Sequence, residues 1–129
     1  MIRLTARTTL VLAALAATAL ASLLLASSSR AGMHPQLVGV VGKSDAYKIT
    51  LTSNGKPVKT IKAGTYTLVI HDDSQIHNYE LDGPHGKSWT FTTVPFVGTK
   101  TFTLKLVPGK YKAYCVAHES TMFKHFTVT

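Results

Sequence analysis

The segment Cys115-Val116-Ala117-His118-Glu119-Ser120-Thr121-Met122 carries most of the chemistry this chain can do. It holds the only cysteine, a histidine three positions on, and a methionine four positions beyond that. A thiolate, an imidazole and a thioether on one short segment suit a soft metal, copper first among them. Upstream, Ile76-His77-Asn78-Tyr79 offers a second imidazole. His77, Cys115, His118 and Met122 then make a two-histidine, one-cysteine set with a weak axial thioether. Such a set accepts one copper ion in either oxidation state with little rearrangement. Zinc fits less well, because structural zinc sites favour more thiolates and seldom use methionine. A Cys–His nucleophile pair is the enzymatic alternative. A domain this small offers it no evident orienting third residue or substrate cleft, and Met122 would have no part in it, so the chain reads as no enzyme.

Donors so far apart in sequence need a frame to bring them together. Leu37 to Val41 reads as a first short strand. Tyr47-Lys48-Ile49-Thr50-Leu51 alternates and stops at Asn54-Gly55, a hairpin-type turn. Tyr66, Leu68 and Ile70 share one face, and Asp72-Asp73-Ser74 reads as a polar loop. Ile76 to Leu81 is the next strand, closed by Asp82-Gly83-Pro84. Residues 88–92 are a strand or an irregular crossing. Thr101 to Leu106 alternates and turns at Pro108-Gly109; Lys110 to Cys115 and Phe123 to Thr129 complete the series. No sustained helical period, repeat or low-complexity tract interrupts it. About seven to eight short strands predict an all-β Greek-key β-sandwich.

Strand phase adds orientation. Lys110 and Lys112 must face water, so Tyr111, Ala113 and Cys115 face inward. His77 shares a phase with Tyr79 and Leu81. Tyr66, Tyr79, Phe102, Tyr111 and Phe126 are most simply core. His71 reads as a surface or hydrogen-bonded residue at a strand end, and His125 as solvent-facing.

The N-terminus reads as a secretory signal over residues 1–31. Arg3 and Arg7 precede an uncharged Ala/Leu-rich run, and small residues end it, offering cleavage after Ala31, after Ser28 or after Ala21. An uncleaved anchor helix is the rival reading, and the only route to a membrane. Residues 32–129 make one small domain, exported to a periplasm or the exterior and read as a monomer. That part has 11 Lys and no Arg against 6 acidic residues. Bidentate reading of phosphates or bases is poorly supplied, so nucleic acid is not expected, and the charge supports only a mild preference for acidic partners. The lone cysteine cannot form an internal disulfide; it must be buried, paired between chains or held by a metal. A mature start at Gly32 would offer Gly32-Met33-His34 as a square-planar Cu(II) site, although an unstructured tail is the plainer reading.

The pattern resembles the cupredoxins, the small type 1 blue copper proteins. The resemblance spans nearly the whole domain. It is carried by His77-Asn78, by Pro108-Gly109-Lys110-Tyr111 leading into Tyr114-Cys115, by Cys115-x-x-His118-x-x-x-Met122, and by Phe126-Thr127-Val128. It implies His77, Cys115, His118 and Met122 as copper ligands, and Asn78 as the residue whose hydrogen bonds tie the two ligand loops. It also implies a one-electron carrier working with a redox partner protein through the edge of His118. A copper storage or delivery protein, and a binding module without metal, are the alternatives. Three features depart from the pattern or are unplaced by it. The His118–Met122 spacing is intermediate for the family. The Gly83-Pro84-His85-Gly86 loop, with Lys87 and Trp89 beyond, can approach the metal end in this fold. Glu119 would set a charge near the usual electron port.

Overall fold

The computed structural model describes residues 33–129; the signal read over residues 1–31 lies outside them. Ten strands follow in order: β1 (Gln36–Val41), β2 (Ile49–Ser53), β3 (Lys56–Pro57), β4 (Thr60–Ile61), β5 (Gly64–Asp72), β6 (Glu80–Asp82), β7 (Ser88–Thr90), β8 (Gly98–Leu106), β9 (Gly109–Tyr114) and β10 (Phe123–Val128). They form two five-stranded sheets, β3-β2-β1-β5-β8 and β4-β10-β9-β6-β7. β1 runs parallel to β5, and β4 parallel to β10; the other ladders are antiparallel. The sandwich expected from the sequence is the fold observed. The two-residue ladders of β3 and β4 bring the strand number to ten.

The alternation seen in the sequence builds the core. Leu37 and Val41 of β1, Ile49 and Leu51 of β2, and Tyr66, Leu68 and Ile70 of β5 face Leu81, Tyr111, Ala113, Phe126 and Val128 of the other sheet, all buried. Phe102 packs against this cluster from its edge. Tyr111 closes the β8–β9 turn: its hydroxyl donates to Val107 O at 3.0 Å and accepts from Val107 N at 3.1 Å. Its ring stacks on Phe126, with centroids 5.1 Å apart. His71 Nδ1 lies 2.8 Å from Thr99 Oγ1, and His125 is exposed.

Two segments differ from the strand pattern read in the sequence. Asp72 is no part of a polar loop. It is the last residue of β5, in the inward phase of Tyr66, Leu68 and Ile70, and it is fully buried. The segment Ile76–Leu81 is a ladder only from Glu80 onward. Before that the chain turns, because Ser74 gathers the donors that a strand would have paired. Ile76 N donates to Ser74 Oγ and His77 N to Ser74 O, each at 3.4 Å. Tyr79 N then donates to Thr92 Oγ1 at 2.8 Å.

One end of the sandwich collects three loops. The β9–β10 hairpin opens after the pair Tyr114–Phe123, leaving residues 115–122 beyond the sheet. β5 delivers residues 73–79 to the same end, and β1 delivers residues 42–48. The Gly83–Gly86 loop lies elsewhere. An added Cβ on Gly109 would meet Pro84 at 2.7 Å, so the loop packs where β9 starts, and the metal loop leaves where β9 ends. The approach of this loop to the metal end is therefore not realised; the short β6–β7 ladder carries it the other way.

Candidate metal centre

Cys115 follows the last residue of β9 and keeps the inward phase of Tyr111 and Ala113, which buries it completely. A single 3₁₀ turn over Val116–His118 then brings His118 back over it, with His118 N donating to Cys115 O at 3.1 Å. The loop closes on itself: Met122 N donates to His118 O at 2.8 Å, and Cys115 N to Met122 O at 3.1 Å. Met122 is fully buried at the mouth of β10. His77, also fully buried, arrives on the Ser74 turn.

The three nitrogen and sulfur donors converge. Cys115 Sγ lies 3.8 Å from His77 Nδ1 and 3.7 Å from His118 Nδ1, and the two Nδ1 atoms are 3.1 Å apart. All lie within 4.8 Å of one another. At metal–nitrogen and metal–sulfur lengths of about 2.0 and 2.3 Å, a planar trigonal ion would hold such donors roughly 3.5–3.7 Å apart. The residues therefore fit a metal ion without a change of position larger than a few tenths of an ångström. Two ring nitrogens and a sulfur that face one another at these distances bring lone pairs together; a cation relieves that repulsion.

Electrostatics point the same way. Burial lowers the His77 pKa, and the neighbouring His118 adds to this; Asp72 and Asp45 oppose it in part. A neutral imidazole is the form that ligates. His77 Nε2 is buried with no hydrogen bond of standard geometry among the described residues; the backbone of Asp45 is its polar neighbour, and packing holds the rest of the ring. Gly42 supplies part of that packing. It has φ +68°, and a Cβ there would come within 2.8 Å of His77 Cδ2 and 2.5 Å of Ser74 Cβ.

Asn78 joins the two loops. Its Oδ1 accepts from Val116 N at 2.9 Å, and its Nδ2 donates to Glu80 Oε1 at 3.0 Å. The segment after His77 is thus tied to the segment after Cys115. Tyr114, the neighbour of Cys115, donates to Glu80 or Asp82, its hydroxyl lying 3.2 and 3.3 Å from their carboxylates. These acidic neighbours, and burial before them, push the phenol up to about 12. Glu119 forms an ion pair with Lys112, so the charge beside His118 is partly neutralised.

Three features of the centre escaped the sequence reading. Gly42 and Ser74 shape the His77 side, and Tyr47 packs on both imidazole rings. Tyr47 keeps the phase of Ile49 and Leu51 but stands past the end of β2, beyond the sheet. The alternation was the available signal; only the strand boundary turns a core position into one over the metal centre.

The fold and its donor set define a class: a β-sandwich of the cupredoxin type with a His–Cys–His centre at one end. Within it, rusticyanin provides solved structures that share the fold. A methionine-to-glutamine variant of rusticyanin superposes with a TM-score of 0.55 at 18% identity, covering 76% of this chain and 79% of that one. Rusticyanin from Thiobacillus ferrooxidans gives 0.55 at 17%, with the same coverage. A further structure, described as the copper protein rusticyanin, gives 0.55 at 17%, again over 76% and 79%. No family model matches the chain, and no curated protein matches it.

Proposed function

We propose that this chain is an exported type 1 copper protein that carries single electrons between partner proteins, with no enzymatic activity of its own. The observation that carries the reading is the convergence of Cys115 Sγ with the Nδ1 atoms of His77 and His118. Copper bound there would supply a one-electron couple, and the donor types suit both of its oxidation states. Cys115 would hold it as a thiolate, His77 as the buried imidazole and His118 as the imidazole nearest solvent, and buried Met122 would add a weak thioether. The frame supports low reorganisation. Each ligand loop is closed by its own backbone hydrogen bonds, and Asn78 bridges the two, so the donors stay in place whatever the charge between them.

The Arg3–Ala31 segment supports export, and a lone buried cysteine suits an oxidising compartment, where an exposed thiol would be a liability. The redox partner is a protein that approaches the end of the sandwich bearing His118. Among the described residues, no helix is long and apolar enough to cross a membrane.

Copper(II) titration of residues 32–129, followed by visible and EPR spectra, tests the reading. An intense thiolate-to-copper band with narrow hyperfine splitting is expected at one equivalent. A correctly folded protein without that band overturns it. Cys115→Ser should abolish the colour and keep the fold. Met122→Leu should keep the colour and raise the reduction potential in cyclic voltammetry; an unchanged potential removes Met122 from the ligand set.

A further inference from the structure

Tyr47 is 59% exposed, yet its ring lies edge-on to both imidazoles of the centre. Its centroid is 5.1 Å from that of His77 at an interplanar angle of 80°, and 4.7 Å from that of His118 at 77°. The imidazoles meet each other at 4.8 Å and 72°. Three mutually edge-to-face rings are a favourable packing for π systems. The contact is ring to ring, so part of the phenol ring covers the histidines while the rest meets water.

The loop that carries Tyr47 is built to hold it there. Gly42 N donates to Lys48 O at 3.1 Å, closing residues 42–48 into a ring, and Asp45 N donates to Gly42 O at 2.8 Å inside it. Gly42, Ser44 and Asp45 all take left-handed backbone, with φ of 68°, 55° and 56°. Such conformations cost free energy at Ser44 and Asp45 and persist where the surroundings impose them. Gly42 sets the loop flush against Ser74 and His77, closer than any Cβ would allow. Tyr47 is therefore fixed to the same turn that fixes His77.

Access to the donors decides what this ring does. Cys115 and His77 are fully buried, and His118 alone of the three is partly exposed. His118 is thus the one of the three donors that meets solvent, and Tyr47 stands on its ring. We infer that Tyr47 is the lid of the metal centre: a positioning residue that closes its histidine side and keeps small exogenous ligands, anions and soft nucleophiles alike, away from the donors. The inference rests on the metal-centre reading above. The ring, not the hydroxyl, performs this role, so Tyr47→Phe preserves it and Tyr47→Ala removes it.

Two measurements test the lid, one of them without metal. In the metal-free protein, Cys115 is alkylated with iodoacetamide and the rate followed by intact mass. Tyr47→Ala should react about tenfold faster than wild type, and Tyr47→Phe within about twofold, because thiol reactivity follows access. Equal rates in all three overturn the lid. In the copper-loaded protein, sodium azide is added and the EPR and visible spectra recorded. The wild type and Tyr47→Phe should stay unchanged, while Tyr47→Ala should give a saturable azide-bound spectrum. A wild-type spectrum that azide readily converts also overturns the lid, and needs no variant. If circular dichroism shows Tyr47→Ala to be misfolded, Tyr47→Thr, small but strand-compatible, replaces it in both arms. A wild type that never develops the thiolate band sinks the copper reading alone; the alkylation rates still decide the lid.

Discussion

Asp72 is the residue whose chemistry least resembles its surroundings. It ends a strand of buried apolar residues, fully buried itself. Its Oδ1 accepts from Ser74 N at 3.4 Å, and its Oδ2 has no hydrogen-bond partner among the described residues. Burial raises its pKa above the ordinary 3.8; the nearby Thr92 hydroxyl, the Ser74 backbone and the charge of His77 pull back less strongly. The sign of the consequence is fixed by linkage. Below the ordinary value both folded and unfolded chains hold the proton, and Asp72 costs nothing. As pH rises from there to the raised folded value, the unfolded chain loses its proton first and stability falls. Above the folded value the whole cost remains. Asp72→Asn keeps an oxygen for Ser74 N and has no charge to bury. The metal-free variant should therefore match wild type in urea midpoint near pH 3 and exceed it increasingly above about pH 4. A difference that stays constant from pH 3 to 7 would show that the carboxyl is not the cause. The sequence displayed Asp72 as one of three polar residues in a row, which reads as a loop. Its place in the core follows from the phase of Tyr66, Leu68 and Ile70, carried one step further than polarity suggests. His77, Cys115 and His118 were legible for the opposite reason: their chemistry is rare enough to stand out without coordinates.

At the scale of elements, the centre depends on how tightly three loops are pressed together. The Cys115–Met122 loop is local, and its ligand spacing can be read directly. The His77 turn and the residue 42–48 loop are not: nothing in Gly42-Lys43-Ser44-Asp45-Ala46-Tyr47 hints at a neighbour some thirty residues on. Gly42 is where they meet. A methyl group there would sit 2.5 Å from Ser74 Cβ and 2.8 Å from His77 Cδ2, at a φ of +68°. Gly42→Ala should cost about 1–3 kcal/mol from overpacking, with backbone strain in addition. It should also displace His77, seen as altered hyperfine splitting in the copper-loaded variant. Gly55→Ala makes the comparison: it too has positive φ, but nothing lies within 4 Å of an added Cβ, so it should lose stability from strain and keep its spectrum. A normal spectrum for Gly42→Ala would separate the His77 position from this contact. Asn78 bridges the same loops by one hydrogen bond to Val116 N. Its identity was readable beside His77, but its partner lies on a loop that only folding brings near.

At the scale of the whole molecule, the donors form a site only when both sheets are assembled, since His77 stands on the connection from β5 of one sheet to β6 of the other, and Cys115 follows β9 of that second sheet. A metal that binds this arrangement and not the unfolded chain must stabilise the fold, by about 2.7 kcal/mol at a free concentration one hundred times its Kd. Copper should thus raise the melting temperature of wild type, and the increment should largely vanish in Cys115→Ser. An equal increment in both would place the stabilising ion elsewhere. The amino-acid sequence by itself determined the ligand types, the all-β character and the inward phase of Cys115, because donor chemistry and strand alternation are properties of residues and of nearest neighbours; His77 is buried too, but on a turn where His77, Asn78 and Tyr79 are all inside and no alternation operates. The tertiary structure alone decided that three donors lie within 4.8 Å, that the Gly83–Gly86 loop sits at the far end, and that Tyr47 covers the histidines. Those outcomes depend on where strands stop and which loops share an end, and such contacts between distant segments are fixed by packing rather than by any local pattern.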